Sequence, residues 1–425
     1  MTTVGIEAIN VFGGTAKIDV LKLMEHRQLE TQRAANLLMV ERTVALPFED
    51  PVSYAVNAAK PIIDSLSESE RDSIEMLITC TESGIDFGKT LSNYVHKYLG
   101  LKNNCRQFEV KQACYSGTAG FQNAVNFILS GASPGAKALV IATDMARGMA
   151  PDLASLNPDF LKTQEWSYAE PSSGAGAVAM LVSDKPKVFQ VDVGANGYYG
   201  FEVMDTCRPV VDFDVGDSDL SLMSYLDCCE NSFREYQKRV EGASYTDTFQ
   251  YLAFHMPFGG MVKGAHRTVM RKVVKATREM IEADFERRVV PGMDYCQRIG
   301  NIMGATVFLS LASTIDNGDF ASAKRIGCFS YGSGCCSEFY SGVVTPIGQQ
   351  QTHQFNISQQ LNQRREMSMQ EYDQNMVDNY GMRFGTRDIQ LDPANNINVQ
   401  QTAESAGKRL YLTEIVKFER KYQWI

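Results

Sequence analysis

The chain has 425 residues, enough for two core-bearing units, and its 21% charged and 44% hydrophobic residues are ordinary for a globular protein. No apolar run approaches the roughly 20 residues that a bilayer span needs. Met1–Asn10 has no basic leader or apolar segment of a signal peptide, so a cytoplasmic protein without a membrane partner is expected. A net charge of −9 argues against nucleic acid as the main ligand, because phosphate binding needs a broad basic face.

The ten cysteines include no C-x-x-C pair. The vicinal pairs Cys228–Cys229 and Cys335–Cys336, with five histidines in the chain, supply no metal set. Reduced thiols packed as small apolar side chains are expected.

Short apolar runs that lead into helical segments recur along the chain and predict a layered α/β fold. In the first half the predicted strands are Glu75–Cys80, Gln107–Lys111, Lys137–Thr143 and Gly176–Val182. In the second half they are Phe249–His255, Arg325–Ser330 and Phe339–Thr345.

Sliding 114–137 onto 301–324 without a gap aligns Gly117 with Gly304, Phe121 with Phe308, Ile128 with Ile315 and Gly131 with Gly318. MLITC (76–80) and YLAFH (251–255) occupy equivalent places before it. This hidden duplication divides the chain into halves 1–183 and 184–425. It puts Cys114 and Asn301 at equivalent helix starts, with Glu82 and His255 near equivalent strand ends. The Gln-rich stretch 349–374 falls outside the repeat and reads as a polar surface helix, within a helical extension at about 349–405.

Within that frame a few side chains carry chemistry. Cys114, in KQACYSGTAGF, follows a strand and opens an apolar helix, where free N–H groups favour a thiolate; the competing reading is a buried structural thiol. His255 ends a strand before Pro257 and Gly259–Gly260, placed for an oxyanion, whereas His26, His96, His266 and His353 read as solvated. Glu82, in TESG, becomes a useful base if burial raises its pKa. Asn301 at a helix start suits a carbonyl oxygen or a simple cap. The strand-end loop Tyr331–Gly334, with Gly332 and Ser333, suits backbone close to ligand or an ordinary turn. Lys263, Arg267, Arg271 and Lys275 recur every four residues and predict an amphipathic helix with a basic stripe, either a solvated face or a surface for phosphate or an acidic partner.

The stretches TESGIDFGK (81–89), FEVKQACYSGTAG (108–120), EPSSGAGAVAM (170–180), FHMPFGGMVK (254–263), IGNIMGATVFLSLAS (299–313) and FSYGSG (329–334) resemble the 3-hydroxy-3-methylglutaryl-CoA synthase family of the thiolase superfamily. The resemblance implies a thiolase-like five-layer αβαβα fold, a homodimer, Cys114 as nucleophile, Glu82 as base and His255 as acid-side partner. Asn301 and Ser333, with Gly332 and Lys263, would bind substrate. It also implies an acyl-phosphopantetheine thioester as substrate, with no metal or redox cofactor.

The segment Asn36–Arg42 and an insertion-like loop at 151–165 depart from primary-metabolism synthases. The blocks at 197–209, 224–231 and 332–342 are similar to the branch that serves polyketide β-branching. That branch takes acetyl from a donor acyl carrier protein and adds it to the β-ketone of a polyketide on an acceptor carrier protein. Arg267 and Arg271 are the expected carrier contacts. A synthase using acetyl-CoA and acetoacetyl-CoA, an initiating ketoacyl-carrier-protein synthase and a non-catalytic carrier-binding module are the alternatives. Glu82 disfavours the initiating synthase, and the complete Glu82, Cys114 and His255 set disfavours the non-catalytic module.

Overall fold

The computed structural model describes residues 3–146, 169–210, 213–382 and 384–425. The expected loop 151–165 lies outside the described residues.

Nine strands form one large sheet: β1 (Gly5–Phe12), β2 (Ile74–Cys80), β3 (Arg106–Val110), β4 (Lys137–Met145), β5 (Ala175–Ser183), β6 (Phe189–Gly200), β7 (Tyr251–Phe254), β8 (Lys324–Gly332) and β9 (Cys336–Val344). Their order is β7-β8-β9-β6-β1-β5-β4-β2-β3. β5 is buried along its whole length, as the unbroken apolar run AGAVAMLVS requires when helices cover both faces.

The order repeats outward from the centre. β1, β5, β4 and β2 are matched by β6, β9, β8 and β7, with two antiparallel pairings and then a parallel one in each half. Helices α1 (Pro51–Ser65) and α3 (Ser218–Arg239) follow the first strand of each half; α2 (Ser116–Ser130) and, after α4 (Gly259–Val269), α5 (Thr306–Asn317) precede its last two. β3 has no partner in the second half. The half-sheets join where Gly5 and Ile6 pair with Gln190 and Phe189.

α2 and α5 lie between the half-sheets, and α1 and α3 lie outside them, giving five layers. Residues that the repeat equates touch each other across the middle. A Cβ on Gly117 would stand 2.1 Å from the carbonyl oxygen of Gly304. The rings of Phe121 and Phe308 meet edge to face at 5.4 Å, a geometry worth about 0.5–1.5 kcal/mol beyond the area it buries. Equivalent residues in mutual contact mark a local twofold axis between α2 and α5. The fold is thiolase-like.

Three sequence expectations need correction. His266 is fully buried, not solvated: Tyr245 Oη lies 3.1 Å from its Nδ1, and Asp284 Oδ1 lies 3.1 Å from its Nε2. The basic stripe is not one regular helix, because α4 passes into a π-turn at Met270–Val274 and stops at Lys275, whose φ is 63°. The Gln-rich stretch is three short helices, Pro346–His353, Ile357–Asn362 and Met369–Tyr380, rather than one surface helix. It is anchored by buried Ile357, Leu361 and Tyr372, and by Arg364, which donates to Thr43 Oγ1 at 3.0 Å and Glu41 Oε2 at 3.1 Å.

All ten cysteines carry free thiols, six of them buried. Among the described residues no helix is long and apolar enough to cross a membrane.

Candidate active site

The strands of each half deliver side chains at their C-terminal ends, as open α/β sheets do. Glu82 follows β2, His255 follows β7, and Gly332 ends β8. Cys114 reaches the same edge on a tight turn between β3 and α2. Ala113 takes a left-handed φ of 43°, and Tyr115 N donates to Gln112 O at 3.0 Å. Gly332 closes on this turn: a Cβ there would lie 2.6 Å from Tyr115 N and 2.8 Å from Gln112 O. No larger residue fits.

Cys114 Sγ stands 3.6 Å from Glu82 Oε1. Burial, and then the charge of Asp144, lift Glu82 to about 7, while Arg208 opposes the shift. Desolvation therefore does to Glu82 what a base near neutral pH needs. The thiol behaves otherwise than the helix-start argument expected. Burial first, and then the Glu82 carboxylate, push Cys114 well above its ordinary value. The regular helix begins at Ser116, and the nearby carboxylates outweigh its dipole. These surroundings favour the protonated thiol over a resting thiolate.

Asp144 and Arg208 hold the loop that carries Glu82, and neither was singled out from sequence. Asp144 Oδ1 accepts from Thr81 Oγ1, Glu82 N and Ser83 N, each at 2.9 Å. Its Oδ2 is buried without a partner among the described residues. Arg208 Nη1 donates to Glu82 O at 2.7 Å, Nη2 lies 3.8 Å from Glu82 Oε2, and Nε donates to Asp214 Oδ1 at 2.7 Å. The available signal for Asp144 was a carboxylate within an otherwise apolar, fully buried strand end.

Because Asp144 helps to raise Glu82, Asp144→Asn should move the acid limb of the condensation rate to lower pH. A pH–rate profile checks this, and an unmoved limb contradicts it.

His255 is buried, and burial holds its ring down to about 3, so the imidazole is neutral at physiological pH. It can give a hydrogen bond to an oxyanion without carrying charge. Its backbone is fixed at both ends: its N donates to Phe329 O at 2.8 Å, and its O accepts from Tyr225 Oη at 2.6 Å.

Asn301 lies in a bridge to Ser173 ahead of α5. Its Oδ1 accepts from Met303 N at 3.0 Å and Thr306 Oγ1 at 3.1 Å. The capping reading thus describes its oxygen, while its amide NH₂ has no acceptor among the described residues. Ser333 is half-buried in the turn after β8. That turn is held by Asp205, which accepts from Tyr331 Oη at 2.7 Å and Gly334 N at 2.8 Å.

Among the described residues no contact brings Lys263 to this cluster. It pairs with Glu282 at 2.7 Å and lies over the Phe285 ring. Arg267 and Arg271 are exposed on and just beyond α4. No trio of His, Cys, Asp or Glu among the described residues is placed to hold a metal ion.

A thiol against a raised carboxyl on a duplicated α/β frame, with a histidine at the end of the equivalent strand of the other half, belongs to the thiolase-like condensing enzymes. Residues 1–187 match the family model for the N-terminal part of hydroxymethylglutaryl-coenzyme A synthase, and 265–424 match that for its C-terminal part. The chain belongs to the hydroxymethylglutaryl-CoA synthase family.

It is 64% identical over 425 residues, all of both chains, to the polyketide biosynthesis 3-hydroxy-3-methylglutaryl-ACP synthase PksG of Bacillus subtilis. It is 32% identical to a hydroxymethylglutaryl-CoA synthase of Enterococcus faecalis, covering 87% of this chain and 91% of that one. Among solved structures, the curacin-pathway HMG synthase in complex with apo donor-ACP superposes with a TM-score of 0.93 at 60% identity over all of both chains. MvaS in complex with 3-hydroxy-3-methylglutaryl coenzyme A gives 0.82 at 29% identity over all of both chains. The chain is accordingly an acyltransferase-type condensing enzyme.

Proposed function

We propose that the chain transfers acetyl from a donor acyl carrier protein to Cys114 and condenses it with the β-ketone of a polyketide on an acceptor carrier protein. The observation that carries the chemistry is the 3.6 Å approach of Cys114 Sγ to a half-buried Glu82. The 64% identity to PksG over the whole chain favours carrier proteins over coenzyme A.

Cys114 sulfur attacks the donor thioester, and the phosphopantetheine thiol leaves with the proton. Glu82 then takes a methyl proton, the enolate carbon bonds to the acceptor β-carbon, the neutral His255 ring hydrogen-bonds the new alkoxide, and the alkoxide takes up a proton to become the β-hydroxyl as Glu82 gives up its own. Water cleaves the enzyme thioester, frees Cys114 and leaves a carboxymethyl branch beside the β-hydroxyl. The amide of Asn301 and the Gly332–Ser333 turn orient the carbonyl groups. Beyond the carrier-bound thioesters and one water, these steps call for no other group.

The chain acts in the cytoplasm as a homodimer; the free edge of β3, at one end of the sheet, is where a second copy would continue it. Halves 1–183 and 184–425 are its two thiolase-like units, the second including the extension at about 349–405.

Incubation with acetyl-donor carrier protein and a β-ketoacyl acceptor carrier protein tests the reading by mass spectrometry of the acceptor. A branched product supports it. Product formed only from acetyl-CoA and acetoacetyl-CoA assigns the chain to primary metabolism, and no product from either pair leaves a carrier-binding module.

Arg267 and Arg271 contact the acidic carrier or its phosphopantetheine phosphate, with Lys263 nearby. Exposed charges of this kind raise association rates and are screened by salt. Reversing both arginines to glutamate should raise KM for carrier-bound substrate several-fold, with less effect on a short pantetheine thioester, and the loss should shrink as salt rises. Equal losses on both substrates, or none, reduce the stripe to a solvated face.

A further inference from the structure

Glu338, on β9, is fully buried, outside the cluster described above. Its Oε2 accepts from Tyr115 Oη at 2.7 Å, and its Oε1 accepts from Gln122 Nε2 at 2.9 Å and Asn196 Nδ2 at 3.4 Å. Tyr115 follows Cys114 directly, and Gln122 lies seven residues later, two turns along the same face of α2. The residue paired with Glu338 on the next strand, Ser330, accepts from Thr118 Oγ1 at 2.8 Å. The first two turns of the nucleophile's helix are therefore bonded at three side chains to strands of the opposite half.

Fold stability alone gives no reason for a carboxyl in that position. Burying it is unfavourable, and burial lifts it to about 7 against the pull of its donors and of Arg239. What a carboxylate supplies, and an apolar residue cannot, is a strong directional acceptor for the phenol. With Gly332 pressed against its backbone, Tyr115 is held between β8 and β9.

We infer that Glu338 is a positioning residue for the nucleophile: by clasping Tyr115 and Gln122 it fixes the start of α2, and with it the place of Cys114 Sγ against Glu82. The inference rests on the reading of Cys114 as the acyl acceptor.

The test is single-turnover acylation of Cys114 by acetyl-carrier protein, followed by mass spectrometry across a range of donor concentrations. Misplacement of a reacting atom by about 1 Å costs on the order of 100-fold. Glu338→Ala should therefore lower the acylation rate constant roughly 10- to 100-fold, with the half-saturating donor concentration little changed. Glu338→Gln, whose oxygen still accepts from the phenol, should recover most of the rate. Tyr115→Phe should reproduce the loss, and the Glu338→Ala/Tyr115→Phe chain should be no slower than the worse single variant.

A weaker donor saturation at unchanged rate, or losses that multiply, overturns the inference. If the alanine chain does not fold, Tyr115→Phe decides, and a wild-type rate there overturns it. A wild-type chain that takes up no acyl group fails the reading of Cys114 instead. Normal wild-type acylation beside equally fast Glu338→Ala acylation fails only the role of Glu338.

Discussion

Replacing Cys114 with alanine is expected to abolish the acyl-enzyme and lower overall condensation by at least about 10⁴-fold, the scale seen when a covalent nucleophile is removed. The thiol stands alone in that position. Six of the other nine cysteines are buried as packing residues, and Cys105, Cys207 and Cys336 are only partly exposed. Trypsin digestion and mass spectrometry after incubation with acetyl donor should find acetyl on the peptide containing Cys114, and on none in the variant. Acetyl retained elsewhere in Cys114→Ala, with condensation above background, would contradict the assignment.

Glu82→Gln should separate the two half-reactions. Condensation should fall by about 10²- to 10⁴-fold, because the amide cannot take the methyl proton. Loading should survive. The charge of Glu82 is one cause of the high thiol pKa, so its removal eases ionisation of Cys114, while the amide oxygen can still accept from the thiol. The pH dependence follows the same carboxyl. A base lifted to about 7 is protonated below that pH. The condensation rate should therefore fall about tenfold per pH unit on the acid side, well above the range of an ordinary glutamate. Rapid-quench measurement of acetyl-enzyme and product checks both statements; a Gln variant that condenses at the wild-type rate removes Glu82 from the role.

The frame of this site was legible because its signals are local. KQACYSGTAGF, after one strand and before an apolar helix, predicts a thiol at a helix start, and YLAFH before Pro257 predicts a strand-end histidine. The duplication was legible for the same reason. Gly117 with Gly304 and Phe121 with Phe308 are matches that the fold sets in contact on its local axis.

What remained hidden depends on contacts between distant segments. Asp144 reads as a strand-end charge until its oxygen is seen to accept three bonds from the loop that carries Glu82. Arg208 and Glu338 likewise gain meaning from partners more than a hundred residues away. His266 was a different kind of miss. Val262, Ala265, His266 and Val269 share one buried helical face, and the i, i+3, i+4, i+7 spacing placed the histidine inside, while attention to the basic stripe placed it in solvent. The sign of the Cys114 shift was lost because a helix start alone omits burial and the charges of Glu82 and Asp144.

The most direct test of the account is the rate at which Cys114 becomes acetylated when equal concentrations of acetyl-donor carrier protein and acetyl-CoA are offered separately. The account predicts rapid, stoichiometric acetylation of Cys114 from the carrier protein and much slower acetylation from acetyl-CoA. Acetylation that is equal from both donors or faster from acetyl-CoA, or acetyl found on a residue other than Cys114, would contradict it.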